Sequence, residues 1–483
     1  MALKLYNTLS GVKEVFTPIK GKDVNFFVCG PTVYDLSHLG HARTYIILDT
    51  IVKYLKEVGF KVFYLQNITD IDDKIIGRAK EKKITPEALA RNYEEKYFKD
   101  VKSLKIDSVK KYARATEHIK EIVSQVRRLL EKDYAYKIND GIYYDISKFK
   151  EYGKLSKRTV LQAEDAVSRI DNSEGKRNRG DFCLWKFSKP DEPKWDSPWG
   201  PGRPGWHIED TAITEKYFGA QYDIHGGARD LIFPHHEAEI AQMEAISGRF
   251  PLVKYWLHTG FLTVNGQKMS KSLGNFITIE DFLKNNSIRL LRFLVIKNYY
   301  RSPLDYSEGM LLQARKELLE ISDFVAKLER QSHKPNKIVS NKSEIELRDR
   351  FTEAIEDDFN TPKAVAAIFS VIRRTDSLLL EGKLSSAEAK SILSFLKKID
   401  KFLNFVFDKK PKISKGTIRL VKERNEYRKR KMWDDADKKR REAEEKESDT
   451  KIIDTSSGTM IMRNIDEGPT GPTGTATVDI PEK

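Results

Sequence analysis

The stretch Cys29-Gly-Pro-Thr-Val-Tyr-Asp-Leu-Ser-His-Leu-Gly-His41 decides how this chain folds. Ahead of it, residues 24–28 read Val-Asn-Phe-Phe-Val, the content of a buried strand. Behind it, Ile46, Ile47, Ile51, Val52 and Leu55 recur at helical spacing, so residues 42–58 are predicted to form a helix. Between strand and helix lie a thiol, a turn-forming Gly-Pro and two histidines. In an open α/β sheet, ligands bind beyond the carboxyl ends of the strands, and helix N-termini attract phosphates there. Gly40 removes a side chain where a flat ring can approach the backbone. His38 and His41, three residues apart, share one helical face and can reach the same phosphate. The pattern is that of a nucleotide site.

A second stretch lies far downstream, Gly266-Gln-Lys-Met-Ser-Lys-Ser-Leu-Gly-Asn275. Taken alone it is a solvated surface turn, but it follows another strand-like run, Tyr-Trp-Leu-His-Thr-Gly-Phe-Leu at 255–262. The pair HLGH and KMSKS resembles the signature motifs of class I aminoacyl-tRNA synthetases, which join ATP to an amino acid. Five further segments narrow the resemblance to the cysteinyl-tRNA synthetase family: CGPTVYD from Cys29, NITDIDDK from Asn67, RATEHI from Arg114, GRPGWHIE from Gly202 and FPHHE from Phe233. The resemblance runs in order from about Leu5 to the basic helix near Lys439.

Composition bounds the remaining classes. With 483 residues, 39% hydrophobic and 33% charged, the chain can bury a large core in more than one domain. A formal charge of +14 points to a polyanionic partner. Two cysteines, Cys29 and Cys183, make no disulfide framework and suit a reducing compartment. No apolar run approaches the roughly 18–20 residues that span a membrane, and the N-terminus lacks a signal-peptide core, so a cytoplasmic protein is expected.

The expected fold class is α/β: a Rossmann-like parallel sheet split by a connective insertion, then a helical bundle and a small basic C-terminal domain. Residues 1–113 read as the first half of the catalytic domain, 114–200 as the insertion and 201–250 as the second half. Residues 251–308 carry KMSKS in a connecting domain, and 309–408 keep the near-3.6 spacing of a bundle. Residues 409–465, with Tyr427 and Trp433 among dense arginine and lysine, correspond by resemblance to the anticodon-binding end. Residues 466–483 are of low complexity and are expected to be a disordered tail. The acidic group Asp70, Asp72 and Asp73 is expected to start a helix and complement its dipole rather than bind metal.

The resemblance implies a reaction and its residues. The cysteine carboxylate attacks the α-phosphate of ATP and expels pyrophosphate; tRNA(Cys) then accepts cysteine on its terminal ribose. His38 and His41 suit the α-phosphate, with Lys271 and Lys268 on the departing pyrophosphate and Mg2+ accompanying ATP. Gly40 and Asp230 are expected against the nucleotide, Asp230 at the ribose, with the glycines after His225 letting backbone approach ligand. Gly30, Thr69, Trp206, His207 and His225 are expected at the substrate.

Cysteine and serine differ by sulfur against oxygen, which an apolar pocket separates weakly; zinc favours a thiolate. The resemblance places four ligands at Cys29, Asp210, His235 and Glu239. Asp210 departs from the family's usual second cysteine, and a carboxylate is a harder, less donating ligand. His235 and Glu239 are i,i+4 and fall on one helical face. Two other activities fit part of the pattern: a cysteine-activating ligase for a small amine, and a tRNA-binding paralogue without catalysis. The bundle and basic C-terminal segment favour tRNA over the first, and the complete motif pair disfavours the second. Monomeric state is expected by family analogy.

Overall fold

The computed structural model describes residues 2–158, 173–270, 273–334, 342–408 and 414–446, and strands at 450–455, 458–464, 467–468, 471–472 and 475–480. Lys271 lies outside the described residues, as does much of the expected linker after 408. The chain divides into two compact units, Met1–Thr278 with Asn298–Asp305 and Arg350–Ala364, and the remainder.

The first unit is built on five parallel strands: β1 (Asp23–Val28), β2 (Lys61–Ile68), β3 (Lys111–Arg114), β4 (Tyr222–Ala228) and β5 (Val253–Thr259). Their order is β5-β4-β1-β2-β3. From β1 the chain winds outward to β2 and β3, then returns on the other side of β1 through β4 and β5. The switch point therefore falls between β1 and β4, where Phe27 pairs with His225 and Val28 with Gly226. Helix α1 (Leu39–Glu57) packs the sheet through fully buried Leu39, Ile46, Leu48, Ile51 and Leu55. Helix α2 (Asp73–Lys82) follows β2. Helices α3 (Ile208–Phe218) and α4 (Glu237–Ser247) flank β4 in sequence and present buried faces to the same core. Asp72 caps α2 by accepting from the Lys74 amide at 2.7 Å, as the dipole argument requires.

Between β3 and α3 the alternation gives way to a four-stranded antiparallel sheet made of Ala135–Ile138, Gly141–Tyr144, Phe182–Phe187 and Gly202–Pro204. Cys183 is half-buried in its third strand and unbonded to Cys29.

Residues 350–364, expected within the bundle, belong instead to the first unit. The cause is Asp358, fully buried at φ +60°. It accepts from the Tyr6 amide at 2.8 Å, the Tyr300 hydroxyl at 2.7 Å, Arg301 Nε at 2.9 Å and the Tyr299 hydroxyl.

In the second unit, helices Ile288–Ile296, Glu308–Ser332 and Ser386–Leu403 pack through apolar stripes. Arg289 and Arg292, which made 287–298 look basic, are turned inward. Arg292 Nε donates to Leu403 O at 2.9 Å and Arg289 Nε to Phe405 O at 2.6 Å, stopping the carbonyl end of Ser386–Leu403 and the turn after it. Helices Lys415–Lys429 and Trp433–Lys446 pack against each other, with the Arg428 guanidinium 5.6 Å from the ring centre of exposed Trp433. The expected disordered tail is corrected in part: Thr475–Ile480 pairs antiparallel with Gly458–Asn464, since four of its six residues are β-branched. Among the described residues, no helix is long and apolar enough to cross a membrane.

Candidate active site

A cavity of about 840 Å³ opens at the switch point. Its walls include Cys29, Gly30, His38, Gly40, His41, Thr69, Trp206, Asp210, Asp230, His235 and Lys268. Eleven residues expected from five separated segments thus face one space.

At its nucleotide end, α1 is capped by its own histidines. His38 Nδ1 accepts from the Gly40 amide at 3.0 Å, and His41 Nδ1 accepts from the His38 amide at 3.2 Å. Because both Nδ1 atoms accept, the proton of each neutral ring sits on Nε2. Burial holds His38 down to about 4, and burial together with His38 holds His41 well below the ordinary histidine range. Both are therefore neutral N–H donors at neutral pH. The flat ring that Gly40 admits is that of His38: a Cβ there would lie 2.7 Å from its Cε1. Lys268 closes the short strand Gln267–Lys268, and Met269 and Ser270 also line the cavity. Asn275 Oδ1 accepts from the Ser270 amide at 2.8 Å and shapes this turn.

At the other end, Cys29 Sγ lies 3.2 Å from Asp210 Oδ2 and 4.0 Å from Glu239 Oε1. His235 Nε2 lies 3.0 Å from Asp210 Oδ2 and 3.3 Å from Glu239 Oε1. α3 supplies Asp210 in its first turn. A wide turn at Ile232–His236 leads into α4, so that His235 and Glu239 face the same point.

These residues pass the test for a divalent metal. Donor atoms about 2.0–2.3 Å from a tetrahedral zinc stand roughly 3.2–3.8 Å apart, close to the separations of this quartet. Asp210 Oδ1 and Glu239 Oε2 are buried without a hydrogen-bond partner. Among the described residues no lysine or arginine pairs with either carboxylate. Burial, then the charge of Asp210, pushes Glu239 well above the carboxylate range; burial and the neighbouring carboxylates push the Cys29 thiol up. A buried set of acids with no balancing cation is what a metal ion relieves.

His225 and His207, expected at the substrate, are not among the residues lining the cavity. His225 sits behind Cys29, with Nε2 3.3 Å from Sγ and Nδ1 2.7 Å from the Tyr222 hydroxyl. His207 Nδ1 faces His235 Nδ1 at 2.9 Å. A residue on a buried strand points to one face or the other, and His225 takes the face toward Cys29's sulfur. Gly226 and Gly227 likewise admit side chains rather than ligand: a Cβ would meet Leu48 and His236. Sequence reasoning gave no role to His236, whose Nε2 lies 3.1 Å from Cys29 Sγ, nor to His258, which links His236 to Thr8 at 2.8 Å on each side. The signal available was the crowding of seven of nine histidines into the candidate segments. With Cys29, His225 and Glu239, His236 forms a second group of possible ligands.

A switch-point cavity with a capped HLGH helix on one wall and the KMSKS strand on another defines a class I aminoacyl-tRNA synthetase. The family model for the class I (C) tRNA synthetase catalytic domain matches residues 15–316, and that for the DALR domain matches 350–408. The chain is 43% identical over 487 aligned residues to the cysteine–tRNA ligase of Thermococcus gammatolerans, covering 96% of this chain and 99% of that one. It is 53% identical over 326 residues to that of Thermoplasma acidophilum, covering 68% and 72%. Among solved structures, Mycobacterium tuberculosis methionyl-tRNA synthetase with methionyl-adenylate aligns at TM-score 0.61 and 15% identity, over 79% of this chain and 90% of that one, a likeness of fold. The chain belongs to the cysteine–tRNA ligase family. Its reaction is ATP-dependent attachment of cysteine to tRNA.

Proposed function

We propose that Cys29, Asp210, His235 and Glu239 hold a zinc ion that selects cysteine by its sulfur. The observation that carries this is the buried quartet, with two carboxylate oxygens that make no hydrogen bond. When bound, zinc supplies a Lewis acid that favours a thiolate over a neutral hydroxyl. Thr69, Trp206 and the backbone at Gly30 frame the rest of the amino acid. His225, His236 and His207 act from behind, orienting Cys29 and His235.

The carboxylate of cysteine attacks the α-phosphorus of ATP, and the bond to pyrophosphate breaks. His38 and His41, neutral and protonated on Nε2, donate to the α-phosphate oxygens without adding to a repulsive charge balance. Lys268, with Lys271, receives the departing pyrophosphate; Asp230 accepts from the ribose; Mg2+ accompanies ATP. The basic helix Lys415–Lys429 suits the anticodon end of tRNA(Cys), with exposed Trp433 beyond it placed to stack a base. The chain acts as a monomer in the cytoplasm, where its two thiols stay reduced.

Zinc content by plasma emission, measured alongside cysteine- and serine-dependent pyrophosphate exchange, tests the proposal. The expected result is about one zinc per chain and exchange with cysteine alone. Selective exchange from protein that holds no metal would overturn it.

A further inference from the structure

The NITDIDDK segment carries three carboxylates and one lysine, and the structure accounts for the carboxylates. Asp70 accepts from the Thr116 amide at 3.0 Å and hydroxyl at 2.6 Å, and pairs with Arg91 at 3.1 Å. Asp72 caps α2, and Asp73 pairs with Arg203. Lys74 is left. It is exposed on the cavity wall, with no carboxylate in ion-pair reach among the described residues, and its Nζ lies 5.5 Å from the centre of the half-buried Tyr34 ring. One turn on, Arg78 lines the same wall. Its terminal nitrogen pairs with Glu81 at 2.8 Å, while its buried Nε has no hydrogen-bond partner.

This wall, which carries Asp35 and Glu81 beside Lys74 and Arg78, adjoins the amino-acid end of the cavity. Thr32 bridges Thr69 in parallel, and the Val33 amide donates to Thr69 O at 3.1 Å, so Tyr34 continues from Gly30 and Thr69. The phosphates of ATP have His38, His41 and Lys268 on their own side. Adenylate formation therefore gives Lys74 no phosphate to bind, and Arg78 keeps only its pair with Glu81. The second step brings one. A ribose hydroxyl of tRNA must bond to the carbonyl carbon of the adenylate, the bond to AMP breaking with its electron pair and the hydroxyl proton passing to the departing phosphate. The phosphodiester joining the last two nucleotides arrives with that ribose.

We propose that Lys74, steadied by Tyr34 and assisted by Arg78, binds this terminal phosphodiester and positions the acceptor ribose. The proposal rests on the cysteine–tRNA ligase reaction and extends it to residues outside both signature motifs. Lys74 is a positioning residue for transfer and takes no part in activation.

The test uses the full chain, measuring cysteine-dependent pyrophosphate exchange and single-turnover transfer from preformed adenylate to tRNA(Cys). Lys74→Ala is expected to slow transfer about tenfold to a hundredfold, the worth of one charge-assisted contact, with exchange near the wild-type rate. Lys74→Arg restores transfer, and Arg78→Ala gives a smaller loss of the same kind. A tRNA whose last phosphodiester is a neutral methylphosphonate should cost the wild-type chain as much as Lys74→Ala does, and cost Lys74→Ala nothing more. Equal loss of exchange and transfer in Lys74→Ala, or a wild-type chain indifferent to the methylphosphonate, would overturn the proposal. Exchange without charging of any tRNA by the wild-type chain would instead strike at the reaction itself.

Discussion

Histidines gather at both ends of the cavity, half-buried at the nucleotide end and buried at the other, and the two sets arise in opposite ways. At the nucleotide end, His38 and His41 are fixed by the backbone three residues around them, through a capping box that any helix with this sequence can make. At the metal end, His207, His225, His235, His236 and His258 come from α3's start, β4, the turn before α4, and β5, and are fixed by one another and by Cys29. The first arrangement is local and survives changes elsewhere. The second is assembled by the whole sheet, and each member depends on the others.

The sharpest way to break this contrast is Cys29→Ala. It removes one of the two residues, with Glu239, common to both possible ligand groups, so zinc affinity should fall by well over the roughly hundredfold typical of an outer partner. Preference for cysteine over serine should collapse with it, as read by metal content and exchange with each amino acid. His38→Ala should do the reverse. Exchange kcat falls about a hundredfold to a thousandfold through loss of one phosphate donor, while zinc content stays at the wild-type level. A smaller effect is expected from His236→Gln, roughly tenfold to a hundredfold in zinc affinity by competition with a chelator, with exchange recovering when zinc is saturating.

The smallest concerns pH. His38 is held at about 4 in the fold against 6.5 when free. Between those values the unfolded chain takes up a proton that the folded chain refuses, so this contribution lowers stability as pH falls from about 6.5 towards 4 and is constant below. In denaturant titrations, His38→Gln should flatten that slope by at most one proton. A steeper unchanged slope would show that the metal-end histidines carry the acid sensitivity alone.

Legibility in the sequence follows the same division. The strand–turn–helix around His38 was readable because a strand, a cap and a 3.6 period are properties of neighbours. The parallel sheet followed from the alternation of such units. The position of His225 and His207 behind the cavity wall was not legible, because their segments do not reveal which way a side chain leaves the backbone. Gly226 and Gly227 were misread for a related reason: what fills a glycine's space comes from α1 and from His236, both distant in sequence. Residues 350–364 were assigned to the bundle because the partners of Asp358 lie at Tyr6 and Tyr299–Arg301. The quartet proposed to hold metal was reached through family resemblance, since only the spacing of His235 and Glu239 is local.

The fastening of the KMSKS segment has a mechanical consequence. The Leu39 amide donates to Ile277 O at 3.1 Å, and fully buried Arg43 donates to Phe261 O at 2.5 Å, with Ser302 O as a further acceptor. Both ends of the intervening flap are thus bolted to successive turns of a single helix. The flap has no free end to swing on. Any closure over a nucleotide must be taken up by bending within it, or delivered as tension to Leu39, the residue between His38 and Gly40. Lys268 and the imidazoles of His38 and His41 are therefore tied into a single strap, buckled to α1 at both ends.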